Sequence, residues 1–361
     1  MSQQSGLRPR KRFKRLAKFA ARGVVVLLGL VFGLVVGLEM IDRTVLIEEI
    51  SVPEELAQQG YTPSVVAYRI LTELKQIDAR ATTTRTRPQV GLSNTQVEVT
   101  LPVGANISLS SIIAYFRSRF GYPQTRLRGG IVVSDSQDPK CAVAGCYTFF
   151  VNIDGRQSYF FSSTYPKNEV RELIHETSLG AVARLDPYLL ANYFFACSDV
   201  QEPNHYQRAR AYAEIALRQA PPDDDAWAMT LLGMIQNQSH NWQAATSYFD
   251  LVLTQRPGFA PALNSRCWAR AHIQGRAADA VADCRAALAQ NPRSYETFDS
   301  LAVAFAETGQ QRPALVASRC AIQLGPGIAH LQQTYDDLHQ RFPSVSVGSA
   351  SDSECASLYR S

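Results

Sequence analysis

Four prolines recur at a nearly constant spacing in the second half of this 361-residue chain. They are Pro221, Pro257, Pro292 and Pro326, and they lie 36, 35 and 34 residues apart. Proline ends a helix because it lacks a backbone N–H and its ring collides with the preceding turn. A period of this length, with apolar residues between the prolines, is typical of stacked helix pairs. The pattern predicts a solenoid whose neighbouring pairs share a continuous core.

Small residues recur in phase with these prolines and mark where the two helices of each pair cross. Twelve residues before the prolines stand Ala209, Ala245, Ala280 and Ala314. Twenty-four residues before them stand Cys197, Gly233, Trp268 and Ala302, with Cys267 replacing Trp268 if the third block has an extra turn residue. Two helices approach closely only where side chains are small, so each block is predicted to be one helix pair.

The second block resembles the tetratricopeptide repeat, whose 34-residue pattern is matched by Leu232, Gly233, Ala245, Phe249 and Pro257. The resemblance covers residues 187 to 326 and implies a binding surface for a protein or peptide. In that family the first helix of each pair lines a concave groove. The positions that correspond to groove positions are Trp227, Thr230, Met234, Asn237, Asn264 and Trp268. The alternative for Trp227 and Trp268 is that they fill contacts between stacked repeats.

The third block departs from the pattern at Arg266, a charged residue at a first-helix position that is usually buried. Asp283 follows on the second helix of the same block, where its carboxylate can meet the guanidinium. We interpret the two residues as a structural ion pair within the repeat.

The amino-terminal end combines a basic tail with an apolar segment. Residues 1–22 contain eight Lys or Arg and no acidic residue, and residues 23–41 are predicted to be a transmembrane signal anchor. A cleaved signal peptide is the alternative, but no small-x-small cleavage pattern follows the apolar run. We therefore expect a single-pass protein of the bacterial inner membrane, with its N-terminus in the cytoplasm and its domains in the periplasm. The string at residues 51–70 also resembles that of membrane-anchored bacterial tetratricopeptide proteins.

Three glycines, Gly29, Gly33 and Gly37, lie on one stripe of the predicted membrane helix. Such a stripe allows two membrane helices to approach closely, which predicts a homodimer. The alternative is that glycine is simply frequent in membrane helices. Removing the eight positive charges of the tail turns the net charge of +4 into −4, so no nucleic-acid partner is expected.

The predicted fold class is α+β, with a transmembrane helix, a small mixed domain and an α-helical solenoid. Residues 43–166 alternate between strand and helix patterns and form the periplasmic α+β domain. The expected parts that follow are a connector helix at 167–186, tetratricopeptide-like repeats with a capping helix at 187–341, and a disordered tail at 342–361.

The chain contains seven cysteines, and an oxidising compartment would allow them to pair. Cys141 and Cys146 flank a short loop and are the disulfide candidate, with two free thiols as the alternative. Cys267 and Cys284 lie on the two helices of one repeat and are a weaker candidate for a second bond. The remaining helical cysteines are interpreted as core residues.

No catalytic or metal-binding motif is recognisable, so neither an enzyme nor a cofactor is expected. His175 and Glu176 begin like a zinc peptidase motif, but Leu179 stands where the second part of that motif requires histidine. The predicted function is therefore that of a periplasmic adaptor or scaffold. The alternative is an envelope sensor or enzyme accessory whose α+β domain binds a small or anionic ligand. The arginines that could hold an anion are Arg117, Arg119, Arg126 and Arg128.

Overall fold

The computed structural model describes residues 44–81, 90–92, 124–134, 139–142, 144–155, 157–197, 205–219 and 225–360. These residues divide into two compact units. The first ends at Ala181, and the second begins at Val182 and also includes the end of one earlier helix, from Ile77 onward. The predicted basic tail, the signal anchor with Gly29, Gly33 and Gly37, and the arginines Arg117 and Arg119 lie outside the described residues. Among the helices that are described, none has the length and apolar character that crossing a membrane requires.

The described part of the first unit is built on a five-stranded mixed sheet. Its strands are β1 Val45–Ile47, β2 Val90–Leu92, β3 Arg126–Ser134, β4 Cys146–Asp154 and β5 Tyr159–Pro166. The spatial order is β2-β1-β3-β4-β5. Strand β1 pairs in parallel with β2 and β3, whereas β3, β4 and β5 form an antiparallel meander.

Alternation along β4 explains which face of the sheet is buried. Tyr147, Phe149, Val151 and Ile153 are almost fully buried, and the residues between them are partly exposed. Successive side chains of a strand point to opposite faces, so this period-two pattern defines one core face.

Within the described residues, three helices complete the first unit: α1 Glu54–Gln58, α2 Pro63–Arg80 and α3 Val170–Leu185. Helix α3 corresponds to the predicted connector. Its residues up to Ala181 belong to the first unit, and those from Val182 belong to the second. It approaches the sheet at Gly180, where an added Cβ would collide with the ring of Phe161 on β5. The small domain predicted at residues 43–166 therefore also includes the first part of α3.

The second unit consists of ten helices within the described residues. They are α4 Pro187–Ala196, α5 His205–Gln219, α6 Asp225–Gln238, α7 Trp242–Gln255, α8 Ala260–Ala271, α9 Ala277–Gln290, α10 Tyr295–Glu307, α11 Gln311–Leu324, α12 Ala329–Arg341 and α13 Asp352–Arg360. Helices α4 to α11 form four consecutive pairs, and α12 stands at the predicted place of the capping helix. Short connections make the partners of a pair antiparallel neighbours.

The sequence period corresponds to turns between the pairs. Pro257, Pro292 and Pro326 each lie in the four-residue connection that joins one pair to the next helix. The alanines of the predicted crossing points, Ala245 and Ala280 among them, are fully buried. Cys267 is also fully buried and lies opposite Cys284, so it occupies the crossing position of the third pair in place of Trp268.

The predicted disordered tail is wrong for residues 352–360, which form α13. This helix packs on α9 and α11, which are the second helices of their pairs. Cys355 is bonded to Cys320 on α11, and the Leu358 carbonyl accepts a 2.9 Å hydrogen bond from Arg285 Nε on α9. Helix α13 is stabilised by these contacts with distant residues, which a local pattern of polar and apolar residues does not reveal.

Candidate functional site

The first helices of the pairs lie side by side and form one layer of the array. Helix α6 contacts α8, α8 contacts α10, and α10 contacts α12, whereas successive second helices contact each other less. These first helices carry the predicted groove residues.

Trp227, near the start of α6, lies between two neighbouring pairs. Its ring centroid is 6.2 Å from that of Tyr188 on α4 and 4.9 Å from that of Phe259, just before α8. The Phe259 contact is edge-to-face, a favoured geometry for aromatic pairs. Trp227 thus fills a contact between repeats and keeps only part of its surface exposed.

Thr230 and Asn237 were predicted to point into the groove, but both side chains are buried, with exposures of 3% and 8%. The Thr230 hydroxyl donates a hydrogen bond to the Ala226 carbonyl one turn earlier. Asn237 Nδ2 donates to the Ser265 carbonyl on α8 at 3.1 Å. The Thr230 hydroxyl is thus used inside α6 and Asn237 Nδ2 between α6 and α8, whereas Asn237 Oδ1 is buried without a partner among the described residues.

Met234, Asn264 and Trp268 remain partly exposed on α6 and α8. Met234 packs along the edge of the core formed by α6 to α9. Asn264 and Trp268 are four residues apart on α8 and therefore occupy one side of that helix. Asn264 Oδ1 is buried and has no hydrogen-bond partner among the described residues. The structure thus leaves an acceptor without a donor on the same side of α8 as a partly exposed indole.

Two histidines and two tryptophans form an aromatic ladder that the repeat pattern does not predict. The ring centroids are 5.1 Å apart for His240 and Trp242, 4.5 Å for Trp242 and His272, and 4.6 Å for Trp268 and His272. Trp242 and His272 stack nearly parallel. The aromatic ladder joins the turn before α7 to the end of α8, over residues far apart in sequence.

His240 has a backbone conformation that is unusual for a residue with a side chain. Its φ is +56°, and it occupies the turn position that Gly275 and Gly309 occupy in the next two pairs, with φ of +79° and +75°. Glycine adopts such angles without steric penalty, and other residues seldom do. The ladder therefore contains a residue held in a strained turn.

Arg266 is placed at the centre of an ionic cluster. Its Nε and Nη2 donate to the two oxygens of Asp283 at 2.9 and 2.6 Å, and Nη1 donates to Asp250 Oδ1 on α7 at 2.7 Å. Arg270 also donates to Asp283, at 2.8 Å. Burial opposes the charge of Arg266, but the hydrogen bonds to Asp283 and Asp250 outweigh it and raise its pKa. The cluster connects three consecutive helices, which is a structural role.

Three disulfides join six of the seven cysteines. They are Cys141–Cys146, Cys267–Cys284 and Cys320–Cys355, with Cα–Cα distances of 5.1, 5.4 and 5.9 Å. Distances of this size are normal for disulfides. The third bond was not predicted, because Cys355 lies in the segment that was expected to be disordered.

The arginines predicted to hold an anion are occupied where the structure describes them. Arg126 Nη1 lies 3.0 Å from Glu48, and Arg128 lies 2.9 Å from Glu48 and 3.6 Å from Asp154. Their charges are neutralised by carboxylates of the sheet. Arg126 and Arg128 are thus engaged in surface ion pairs with Glu48 and Asp154.

Within the described residues, no group of three or more His, Cys, Asp or Glu is arranged to hold a metal ion. His175, singled out for its zinc-peptidase-like context, lies on α3 with Nδ1 2.9 Å from Glu73 Oε2 on α2. That contact joins two helices of the first unit.

Neither a family model nor a curated protein matches this chain. Among solved structures, it is similar to residues 41 to the end of MamA from Desulfovibrio magneticus RS-1, at 19% identity and a TM-score of 0.34, over 48% of this chain and 92% of that one. It is also similar to a thermophilic TPR protein of Thermus thermophilus, at 16% identity and a TM-score of 0.38, over 48% of this chain and 87% of that one. At such values no residue role and no activity carries over.

Proposed function

We propose that this chain is a membrane-anchored adaptor of the bacterial cell envelope that binds a protein or peptide on the first helices of its array. The observation that carries the proposal is that Asn264 and Trp268 lie four residues apart on one side of α8. Asn264 Oδ1 is buried without a donor, and a buried polar atom left unpaired costs about 1–3 kcal/mol. A ligand that supplies an N–H at this point removes that cost.

An extended peptide matches this chemistry. Its backbone offers N–H donors at regular intervals, and its side chains can stack on an indole. Trp268 is partly exposed, and its ring centroid lies 4.6 Å from that of His272. The binding residues in the proposal are Met234, Asn264 and Trp268, with Trp227 at one side. Thr230 and Asn237 are excluded because they are buried.

The location outside the cytoplasm is part of the proposal, and the three disulfides support it. Structural disulfides persist in oxidising compartments such as the periplasm and are rare in the cytosol. The proposed topology places residues 1–22 in the cytoplasm, residues 23–41 in the inner membrane and both units in the periplasm. Alkaline phosphatase fused after Arg360 is expected to be active, because that enzyme requires an oxidising compartment. An inactive fusion that is nevertheless stably produced would contradict the topology.

Self-association through Gly29, Gly33 and Gly37 is a separate part of the proposal. Replacing Gly33 by Ile introduces a bulky side chain on the close-packing stripe and is expected to abolish a membrane two-hybrid signal. A signal that persists in the Gly33→Ile variant would show that the stripe does not mediate association. The proposal assigns no catalytic step to either unit.

The partner site is tested by cross-linking intact membranes that contain the full-length chain, followed by recovery of the cross-linked proteins. The variant Asn264→Ala with Trp268→Ala is expected to lose the recovered partner. Leu251→Ala is the matched control, since Leu251 is a large apolar residue on the second helix α7 with 58% of its surface exposed. Circular dichroism of each purified variant shows whether the helical array is intact.

Two outcomes would refute the site. One is recovery of the same partner at the same yield by the double variant. The other is equal loss of the partner in the Leu251→Ala control, which would show that the interaction is not specific to the first helices.

A further inference from the structure

Helices α2 and α3 of the first unit border a cleft of about 690 Å³. Its apolar lining comes from Val65 and Tyr68 on α2 and from Ile174 on α3. Pockets that hold small molecules typically have about 300–1,000 Å³ and a mostly apolar lining with a few polar groups. The cleft therefore has the size for a small organic molecule.

Two arginines line this cleft, one from each helix. They are Arg69 on α2 and Arg171 on α3. In the part of the chain that is described, neither is within ion-pair distance of a carboxylate. Arg69 Nε is buried and lacks an acceptor there, and its guanidinium lies 4.8 Å from the centroid of the Tyr61 ring.

The acidic residue of the cleft does not neutralise these arginines. Glu73 follows Arg69 by four residues on the same helix, a spacing at which ion pairs commonly form. Its Oε2 instead lies 2.9 Å from Nδ1 of His175 on α3. This contrasts with Arg126 and Arg128 on the sheet, which are both held by carboxylates.

We propose that this cleft binds a small organic anion, with a carboxylate or phosphate group held by Arg69 and Arg171. A guanidinium presents a planar fork of donors that matches both oxyanions. The apolar or aromatic body of the ligand would contact Val65, Tyr68 and Ile174. Tyr68 has 61% of its surface exposed, so its ring is accessible to a ligand. The site is independent of the partner proposed for the helical array.

Phenyl phosphate and benzoate are suitable probes, and benzyl alcohol is their neutral counterpart. Calorimetric titration of the full-length protein in a non-ionic detergent is expected to show binding of at least one anion, at least about tenfold tighter than benzyl alcohol. The anion that binds more tightly shows whether the site prefers a phosphate or a carboxylate.

The variants Arg69→Gln and Arg171→Gln are each expected to lower the affinity for the tighter-binding probe by about tenfold or more. Arg126→Gln is the matched control and is expected to bind like the unmodified protein, because Arg126 is paired with Glu48. Near-ultraviolet circular dichroism checks that the first unit is folded. If Arg69→Gln unfolds it, the exposed Arg171 carries the test alone.

The proposal is overturned if neither anion binds more tightly than benzyl alcohol. It is equally overturned if folded Arg171→Gln protein binds the probe as well as the unmodified chain does. Loss of binding in Arg126→Gln to the same extent would assign the anion to the sheet arginines instead.

Discussion

Arg266 on α8 and Asp283 on α9 form a two-point ion pair, with Nε 2.9 Å from Oδ2 and Nη2 2.6 Å from Oδ1. Only 16% of the Arg266 side chain and 7% of the Asp283 side chain are exposed. The adjacent residues, Cys267 and Cys284, form a disulfide between the same two helices. The third helix pair is thus connected both ionically and covalently along one seam.

Removing Asp283 leaves Arg266 and Arg270 facing each other with only Asp250 between them. We expect Asp283→Ala to lower the free energy of unfolding by about 3–5 kcal/mol, since breaking a buried pair leaves an uncompensated charge. A double-mutant cycle with Arg266→Ala should give a coupling energy of roughly 1–3 kcal/mol in chemical denaturation. The exposed pair Arg276–Asp279 at the start of α9 is the control, and its coupling should not exceed about 0.5 kcal/mol. Equal coupling in the two cycles would contradict a buried pair.

Gly233 on α6 lies directly under the ring of Phe249 on α7, so an added Cβ has no room. Gly233→Ala is expected to destabilise the array by about 1–3 kcal/mol, because the helices must move apart or the ring must leave its rotamer. Gly258→Ala serves as the control, since its Cβ would meet nothing closer than Gln290 Nε2 at 3.8 Å. Thermal melting of both variants tests this. A Gly233→Ala variant as stable as Gly258→Ala would show that α6 and α7 do not cross here.

His240 is the non-glycine residue with positive φ in the turn between α6 and α7. His240→Gly is expected to raise the free energy of unfolding by roughly 1 kcal/mol, because glycine relieves the strain of this conformation. The neighbouring Asn241→Gly is the control, since Asn241 has a φ of −87° and gains nothing from glycine. If His240→Gly destabilises the array in denaturant titrations, the edge-to-face contact of His240 with Trp242 contributes more than the strain costs.

Asp299 on α10 is expected to make stability depend on pH. Burial raises its pKa above the ordinary value of 3.8, while a hydrogen bond with Thr334 and the charge of His330 oppose the shift. A carboxyl group with a raised pKa favours the folded state below pH 3.8, and that contribution is lost as pH rises through the folded-state pKa. At neutral pH the ionised Asp299 therefore lowers stability.

Asp299→Asn should accordingly stabilise the array at pH 7 by about 1 kcal/mol, because the amide removes the buried charge. The advantage should shrink as the pH falls toward 3.8, which melting curves over a pH series would measure. An advantage that is the same at every pH would show that the charge of Asp299 is not responsible. Glu296→Gln, an exposed change on the same helix, controls for general charge effects.

The helical array could be predicted because the small residues that its helix crossings require recur in the local sequence. A close crossing demands small residues, so Gly233, Ala245 and Ala280 repeat in phase with the turn prolines, and all three are buried in the structure. Arg266 and Asp283 could be matched because they occupy corresponding positions of one repeat.

The finer features could not be predicted, since they depend on residues far apart in sequence. Whether a polar residue such as Asn237 faces a ligand or a neighbouring carbonyl depends on the spacing between repeats. The aromatic ladder joins His240 to His272 through tryptophans of two helix pairs. Arg69 and Arg171 come from helices about one hundred residues apart in sequence, and only the fold places them along one cleft.

The two disulfides of the array limit how far the protein can be stretched. A repeat array whose units contact only their neighbours can lose helices one by one when pulled. The segments from Cys267 to Cys284 and from Cys320 to Cys355 stay closed under tension until their bonds are reduced. The redox state of the surroundings therefore affects the maximum reach of the chain, since an oxidised array extends less far than a reduced one once its helices have melted.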